Sequence, residues 1–272
     1  MSTLEWDKIG DRIYEAGVSK GVLYTEDFFG VAWNGLTSIE ESSVNEVEEF
    51  FFDGVKYADI VTVGDFRGTI RAITYPDEFL EHEGSYEDQT GFFIMNQPPK
   101  KFSMAYRTQI GDDLSGSNSG YKIHILYNLT ANPSNKSYES LGSNVDPTLF
   151  EWEVSSVPED IHGYRPASHV VFNSRSMDPF LLKDIEDILY GTEDNDPYLP
   201  SLQSLATFIR KWNRLIVIDN GDGTWTATSN VDGVITMLDE TTFEIDSETA
   251  VYLDAETYTI ESSEKNEEDI WL

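Results

Sequence analysis

The 272-residue chain contains no cysteine, which excludes disulfides, thiolate metal sites and cysteine nucleophiles together. It is also poor in positive charge: 18 Lys and Arg stand against 50 Asp and Glu, a formal net charge of −32. Sequence-independent affinity for nucleic acid comes from Lys and Arg displacing counterions from phosphate, so a chain with this balance and no basic stripe is expected to be repelled by DNA. Long apolar runs are missing too. No stretch approaches the roughly 20 residues that span a bilayer, and the opening "MSTLEWDKIGDRIYEAGVSK" carries charges where a secretory signal would place an apolar segment. The expectation is a chain made and used in the cytoplasm, or outside a cell only after lysis, with no membrane contact.

Chemistry is scarce as well. The four histidines, His82, His124, His162 and His169, show no HxH, HExxH or HxxxH spacing, and His124 and His169 fall inside strand patterns where a packing role is expected. "GSNSG" (116–120) resembles a serine-hydrolase elbow except that Asn118 stands at the nucleophile position. No Gly-rich turn leads into Lys and Ser or Thr on a helix, so there is no phosphate loop. Adjacent carboxylates such as Glu40 with Glu41 and Glu48 with Glu49 are expected by chance among 50 acidic residues. "NGDGTWTA" (220–227) looks like a calcium loop but fails the ligand pattern. Counted from Asp219, loop positions 3, 5, 6 and 12 hold Gly221, Gly223, Thr224 and Asn230. A hairpin turn between "RLIVID" and "TWTATS" accounts for the same letters. No catalytic, cofactor-binding or metal-binding residue is assigned, and the chain is not expected to be an enzyme.

What is present is aromatic and alternating. With 15 Phe, 14 Tyr and 6 Trp there is ample material for a core. A period of two, broken by Gly, Asn, Asp and Pro clusters, predicts antiparallel strands with one buried face. "YKIHILY" sets Tyr121, Ile123, Ile125 and Tyr127 against Lys122 and His124; "LFEWEVS" sets Phe150, Trp152 and Val154 against Glu151 and Glu153. Further strands are expected near 66–75, 101–110 and 167–173, with "GDDLSGSNSG" (111–120) as a mobile loop. Helix is the minority state. "MDPFLLKDIEDILYG" supplies an N-cap (Asp178), Pro179 at the first position, a Leu/Ile stripe and Gly191 after the last turn, and "SLQSLATFIRKW" repeats the pattern behind Ser201.

These signals divide the chain into a β-rich domain over 1–212 with helices at about 178–190 and 201–211, a small β domain over 213–262, and an acidic tail over 263–272. From 219 onward there are 15 acidic residues and one basic one, so the C-terminal part is the more negative. The tail reads as disordered, with docking of its closing apolar pair, Trp271 and Leu272, onto a neighbour as the alternative.

Several segments, in order, resemble the major tail tube proteins of long-tailed bacteriophages. They are "WDKIGDRIYEAGVSKGVLY", "GVAWNGLTSIEES", "RAITYPDEF", "FSMAYRTQIGDD", "GYKIHILYN", "LFEWEVSSVP", "IEDILYG", "DPYLPSLQSL" and "NGDGTWTA", covering most of the chain. The resemblance implies a mainly β, tail-tube-type sandwich or barrel subunit with one or two flanking helices and a small C-terminal β domain. It implies hexameric rings that stack into a tube conducting genome DNA, without specific binding, from virion to host. The partners it implies are further copies of the chain, a tape measure protein, a tail terminator, a head–tail connector and distal tail proteins. It implies no catalytic residues and no cofactor.

The sequence departs from the family in "EESSVNEVEEFFFDGVKYADIV" (40–61), where six acids, Glu40, Glu41, Glu46, Glu48, Glu49 and Asp53, precede Lys56, and in the basic, apolar joint "FIRKWNRLIVID" (208–219). Those six are the candidate assembly or lumen residues, because carboxylates facing a lumen would repel phosphate. Two rival readings are another tail component of the same fold, such as a terminator or the inner tube of a contractile tail, and a β-sandwich carbohydrate binder using Trp33, Trp152 or Trp225 as a platform.

Overall fold

The computed structural model describes residues 3–43, 46–62, 66–133, 136, 138, 147–212, 214–219, 225–229, 235–237, 243–245 and 252–253. They fall into two units, Met1–Gln203 and Ser204–Leu272.

The first unit is built on one antiparallel sheet. Its strands are β1 (Ile13–Tyr24), β2 (Gly30–Trp33), β3 (Leu36–Ser43), β6 (Phe66–Ala72), β9 (Phe102–Asp112), β10 (Gly116–Pro133), β11 (Phe150–Ser156) and β12 (His169–Asn173); seven follow the order β2-β1-β9-β10-β11-β6-β3, and β12 pairs with β10 off this path. Two hairpins stand apart from it: β4 (Glu46–Phe52) with β5 (Val55–Thr62), and β7 (Ser85–Gln89) with β8 (Phe92–Met95). A 3-10 helix covers Asp77–Glu83, and α1 covers Pro179–Tyr190.

The 18-residue β10 organises the sheet. One edge runs along β9; the other pairs first with β12 over Lys122–Leu126 and then with β11 over Leu129–Pro133. The changeover coincides with a register shift between Leu126 and Leu129 and with a positive φ of 52° at Asn128. An irregularity of this kind bends a strand and sharpens its twist. The sheet curls until β3 lies against β1, and its concave face closes over Leu23, Trp33, Ile70, Phe79, Phe102, Met104, Leu126, Trp152 and Val154. Aromatic rings hold the centre: Trp33 and Phe79 lie 4.5 Å apart, and Phe79 and Trp152 5.1 Å. Edge-on contacts of this kind contribute beyond area burial.

The convex face is covered as well. α1 forms where the sequence reading places it: the Asp178 carboxylate accepts from the N–H groups of Phe180 (2.9 Å) and Leu181 (3.4 Å), and Gly191 ends the helix at φ 78°. Its buried stripe is Leu181, Leu182, Ile185 and Leu189. Ile123, Ile125 and Tyr127, the alternate face of β10, are also buried. The Tyr24 hydroxyl donates to the Leu189 carbonyl at 2.6 Å and ties β1 to the helix. The expectation of strands with a single buried face is therefore corrected for β9 and β10, where Met104 and Ala105, and Leu126 and Tyr127, are all buried. Helix packing on one side and sheet curvature on the other both remove water.

The expected loop over 111–120 is corrected too. β9 runs to Asp112, β10 begins at Gly116, and only a three-residue turn separates them. Asp112 Oδ1 accepts from the N–H groups of Leu114 (2.8 Å) and Ser115 (2.5 Å), a local side-chain cap that makes the Gly/Ser run an extended hairpin.

In the second unit, β13 (Arg214–Asp219) and β14 (Trp225–Ser229) pair antiparallel, β15 (Ile235–Met237) pairs β16 (Phe243–Ile245), and β17 (Tyr252–Leu253) runs parallel to β13. The register ends at Asp219 opposite Trp225, so the two runs read as a hairpin are paired, and the turn residues 220–224 lie outside the described residues. The helix α2 (Leu202–Lys211) precedes β13. Among the described residues, no helix is long and apolar enough to cross a membrane.

Candidate functional site

The six acidic candidates occupy two different places. Glu40 and Glu41 lie on β3, within the main sheet. Glu46, Glu48 and Glu49 lie on β4 and Asp53 in the turn of the separate hairpin. That turn is the two-residue pair Asp53-Gly54, with φ 51° and 76°. Positive φ at both positions is the conformation whose twist matches the flanking strands, and it selects Asp or Asn before Gly. Asp53 is thus accounted for by the turn. Glu49 accepts from Lys56 across the ribbon at 2.6 Å. Glu46 stands opposite Thr62 and Glu48 opposite Ile60; their side chains fall outside the described residues, as do Trp271 and Leu272.

The β4–β5 ribbon carries a large apolar load into solvent. Phe51 is 59% exposed, Phe52 72%, Val55 69% and Tyr57 79%. Phe52 and Tyr57 touch across the ribbon with centroids 6.0 Å apart. Tyr86, Phe92, Ile94 and Met95 on the β7–β8 hairpin, and Leu4, Trp6 and Ile9 near the N-terminus, are also exposed. Scattered apolar residues are ordinary on a monomer, whereas adjacent exposed aromatics mark interaction surfaces.

On β3 the acids have assigned partners. Arg71 bridges Glu40 and, at 2.5 Å, Glu151, which links β3, β6 and β11. The Tyr106 hydroxyl donates to Glu41, and burial together with this bond holds the phenol proton well above its ordinary pKa. Glu41 also faces two imidazoles: Oε1 lies 3.5 Å from His124 Nδ1, and Oε2 3.8 Å from His169 Nδ1. The imidazoles meet each other, His124 Nδ1 to His169 Nε2, at 3.2 Å. The far side of the His124 ring is held by Thr108 Oγ1 at 3.1 Å from Nε2, and Thr108 in turn donates to Glu15 at 2.5 Å. Lys122 completes the group on Glu15. Tyr106 stacks on His124 with centroids 4.7 Å apart and planes within 8°. Burial lowers the pKa of both imidazoles, although Glu41 pulls the other way. Glu15 is shifted down: burial works to raise it, but the Lys122 and Thr108 hydrogen bonds outweigh that effect.

Donor atoms of Glu41, His124 and His169 therefore converge within 4.8 Å. Sequence spacing could not find this group. Its members come from β3, β10 and β12, 83 and 45 positions apart, and are joined only because β12 and β10 pair Leu126 with His169 while the sheet curls β3 over them. Of the proposed sugar-platform residues, Trp33 and Trp152 are 3% and 0% exposed and belong to the core.

No family profile and no curated protein matches the sequence. Among solved structures, the chain is similar to the sheath–tube complex of the PVC extracellular contractile injection system in its extended state (TM-score 0.31, 10% identity, 57% of this chain and 88% of that one). It is also similar to the tube-terminating cap of the anti-feeding prophage (0.32, 8%, 64% and 96%). A third likeness is to the sheath/tube terminator of the PVC system (0.28, 11%, 62% and 99%).

Proposed function

We propose that the chain is a structural subunit of a phage-type tail tube, whose copies form hexameric rings that stack and conduct genome DNA. The observation that carries this reading is the β4–β5 ribbon. Among the described residues it pairs with no third strand, and it holds Phe51, Phe52, Val55 and Tyr57 in water. A two-stranded hairpin is marginal by itself, so a ribbon of this kind calls for a surface on another molecule. The ordered resemblance of nine sequence segments to tail tube proteins favours other copies of the chain as that surface.

In a ring, each copy presents one patch to the next through a heterologous contact that closes after a fixed rotation; ring-on-ring contacts do not close and extend the tube. Length is then set by another molecule, in keeping with a tape measure protein and a terminator as partners, alongside connector and distal tail proteins. The net charge of −32 suits a conduit for DNA. Carboxylates repel phosphate over about 8 Å at physiological ionic strength, so the duplex slides in a hydrated gap. Glu46 and Glu48, on the β4–β5 ribbon, are assigned to the lumen, while 213–262 is assigned to an outer decoration and 263–272 to an acidic tail.

Size exclusion and negative-stain electron microscopy of the full chain test the reading. Rings or tubes are expected, and the double variant Phe51→Ser with Phe52→Ser is expected to yield folded monomers. A wild-type chain that stays monomeric at high concentration would overturn the proposal. Assembly without stacking would favour a terminator of the same fold.

A further inference from the structure

We infer that Glu41, His124 and His169 form a binding site for one divalent transition-metal cation of the zinc type. The inference rests on the geometry of this cluster and not on the tail-tube reading.

The proton inventory is the starting point. The single hydroxyl proton of Thr108 goes to Glu15, because a carboxylate only accepts. Thr108 Oγ1 must then accept from His124, which places the His124 proton on Nε2 and leaves Nδ1 as a bare lone pair. That lone pair points at His169 Nε2 (3.2 Å) and at Glu41 Oε1 (3.5 Å). The His169 proton can satisfy the first contact. Nothing satisfies the second, in which an imidazole lone pair faces a carboxylate oxygen. Three electron-pair donors converge with one proton between the two rings and the Tyr106 hydroxyl proton on Glu41 Oε1, and a cation resolves the remaining repulsion between Nδ1 and that oxygen.

The distances agree with the chemistry. Zinc sits about 2.0–2.1 Å from imidazole nitrogen and carboxylate oxygen, so two ligands of a tetrahedral site lie about 3.3 Å apart. The contacts of 3.2 Å and 3.5 Å around His124 Nδ1 bracket that edge, and the three donor atoms as a set lie within 4.8 Å of one another. The surrounding shell is also built. A metal-bound imidazole is usually fixed through its other ring nitrogen by a carboxylate or hydroxyl. Here Thr108 backed by Glu15 holds His124 Nε2, Tyr106 stacks on the ring, and the Tyr106 hydroxyl holds Glu41. Two nitrogens and one oxygen select the zinc-type ions over Mg²⁺ and Ca²⁺, which prefer all-oxygen shells. Three protein donors leave one tetrahedral position for water.

Co²⁺ is the probe, because its tetrahedral complexes absorb strongly in the visible. The full chain is titrated in the presence of excess Mg²⁺, which saturates the many surface carboxylates. A tetrahedral band that reaches its plateau at one equivalent per chain, and is displaced by Zn²⁺, is the expected result. His169→Ala abolishes it with the circular dichroism spectrum unchanged. Thr108→Val, which removes the bonds to His124 Nε2 and to Glu15, weakens binding about 10–100-fold. Should His169→Ala fail to fold, imidazole ¹⁵N resonances of the wild-type chain decide: Zn²⁺ must shift those of His124 and His169 and leave those of His82 and His162 in place. Absence of the band, a band that survives in folded His169→Ala, or shifts spread over all four histidines would overturn the inference.

Discussion

Glu83 keeps its side chain 1% exposed and accepts three hydrogen bonds, two from Lys136 (2.7 and 2.9 Å) and one from the Trp152 indole (2.9 Å). A buried carboxylate is tolerated only when paired and fully hydrogen-bonded. The Lys136 ammonium is itself 5.6 Å from the rings of Tyr75 and Phe150. Removing one partner strands the other charge, so Lys136→Met is expected to destabilise the chain by about 3 kcal/mol, at the low end for a broken buried pair because Lys136 keeps some contact with water. Urea denaturation reads this as a lower midpoint at unchanged slope. Asp112 gives a pH signature. The backbone N–H of Ser115, the Ser119 hydroxyl and the N–H of Leu114 hold its carboxyl down from 3.8 to about 2. A carboxyl depressed in the folded state contributes stability that is present above its unfolded pKa and lost as pH falls through the folded one. Wild type should therefore lose stability between about pH 4 and pH 2 more steeply than Asp112→Asn, as acid titration followed by circular dichroism would register. Equal slopes would remove Asp112 from the account.

Elements differ in how much of their formation is local. α1 is specified by neighbours in sequence: Asp178, Pro179 and Gly191 set its ends and the Leu/Ile stripe its orientation. Asp178→Ala is expected to cost about 1 kcal/mol, measurable as a lower Tm, and a null effect would show that the cap is replaced by water. The alternation in "LFEWEVS" gives the correct inward face for β11 for the same reason, since a strand's side chains alternate whatever its partner, whereas β10 is buried on both faces. The hairpin at 111–120 was not legible as strand. Gly and Ser runs carry no apolar period, and the strand conformation there depends on pairing with β9 and on the Asp112 cap. The 18-residue length of β10 is likewise a property of its three partners, β9, β11 and β12.

For the molecule as a whole, charge and exposed apolar surface pull in opposite directions. The net charge of −32 opposes self-association, while the aromatics of β4–β5 favour it. Ring formation should therefore strengthen with salt, which screens the repulsion and leaves apolar burial intact; sedimentation across ionic strength would show it, and dissociation by salt would contradict it. In assembled particles, Glu46→Lys with Glu48→Lys is expected to slow DNA ejection by replacing repulsion with attraction. Unchanged ejection kinetics would sink the electrostatic role of these two residues.

The sequence by itself determined the mainly β character, the ends of α1 and the inward face of β11. Each of these depends on side chains within a few residues or on a fixed backbone period. Tertiary structure alone decided that β3, β10 and β12 meet so that Glu41, His124 and His169 face one another, and that Arg71 ties Glu40 to Glu151. It also decided that Trp33 lies in the core. Those outcomes depend on sheet order and curvature, which join residues distant along the chain, and no local spacing encodes them.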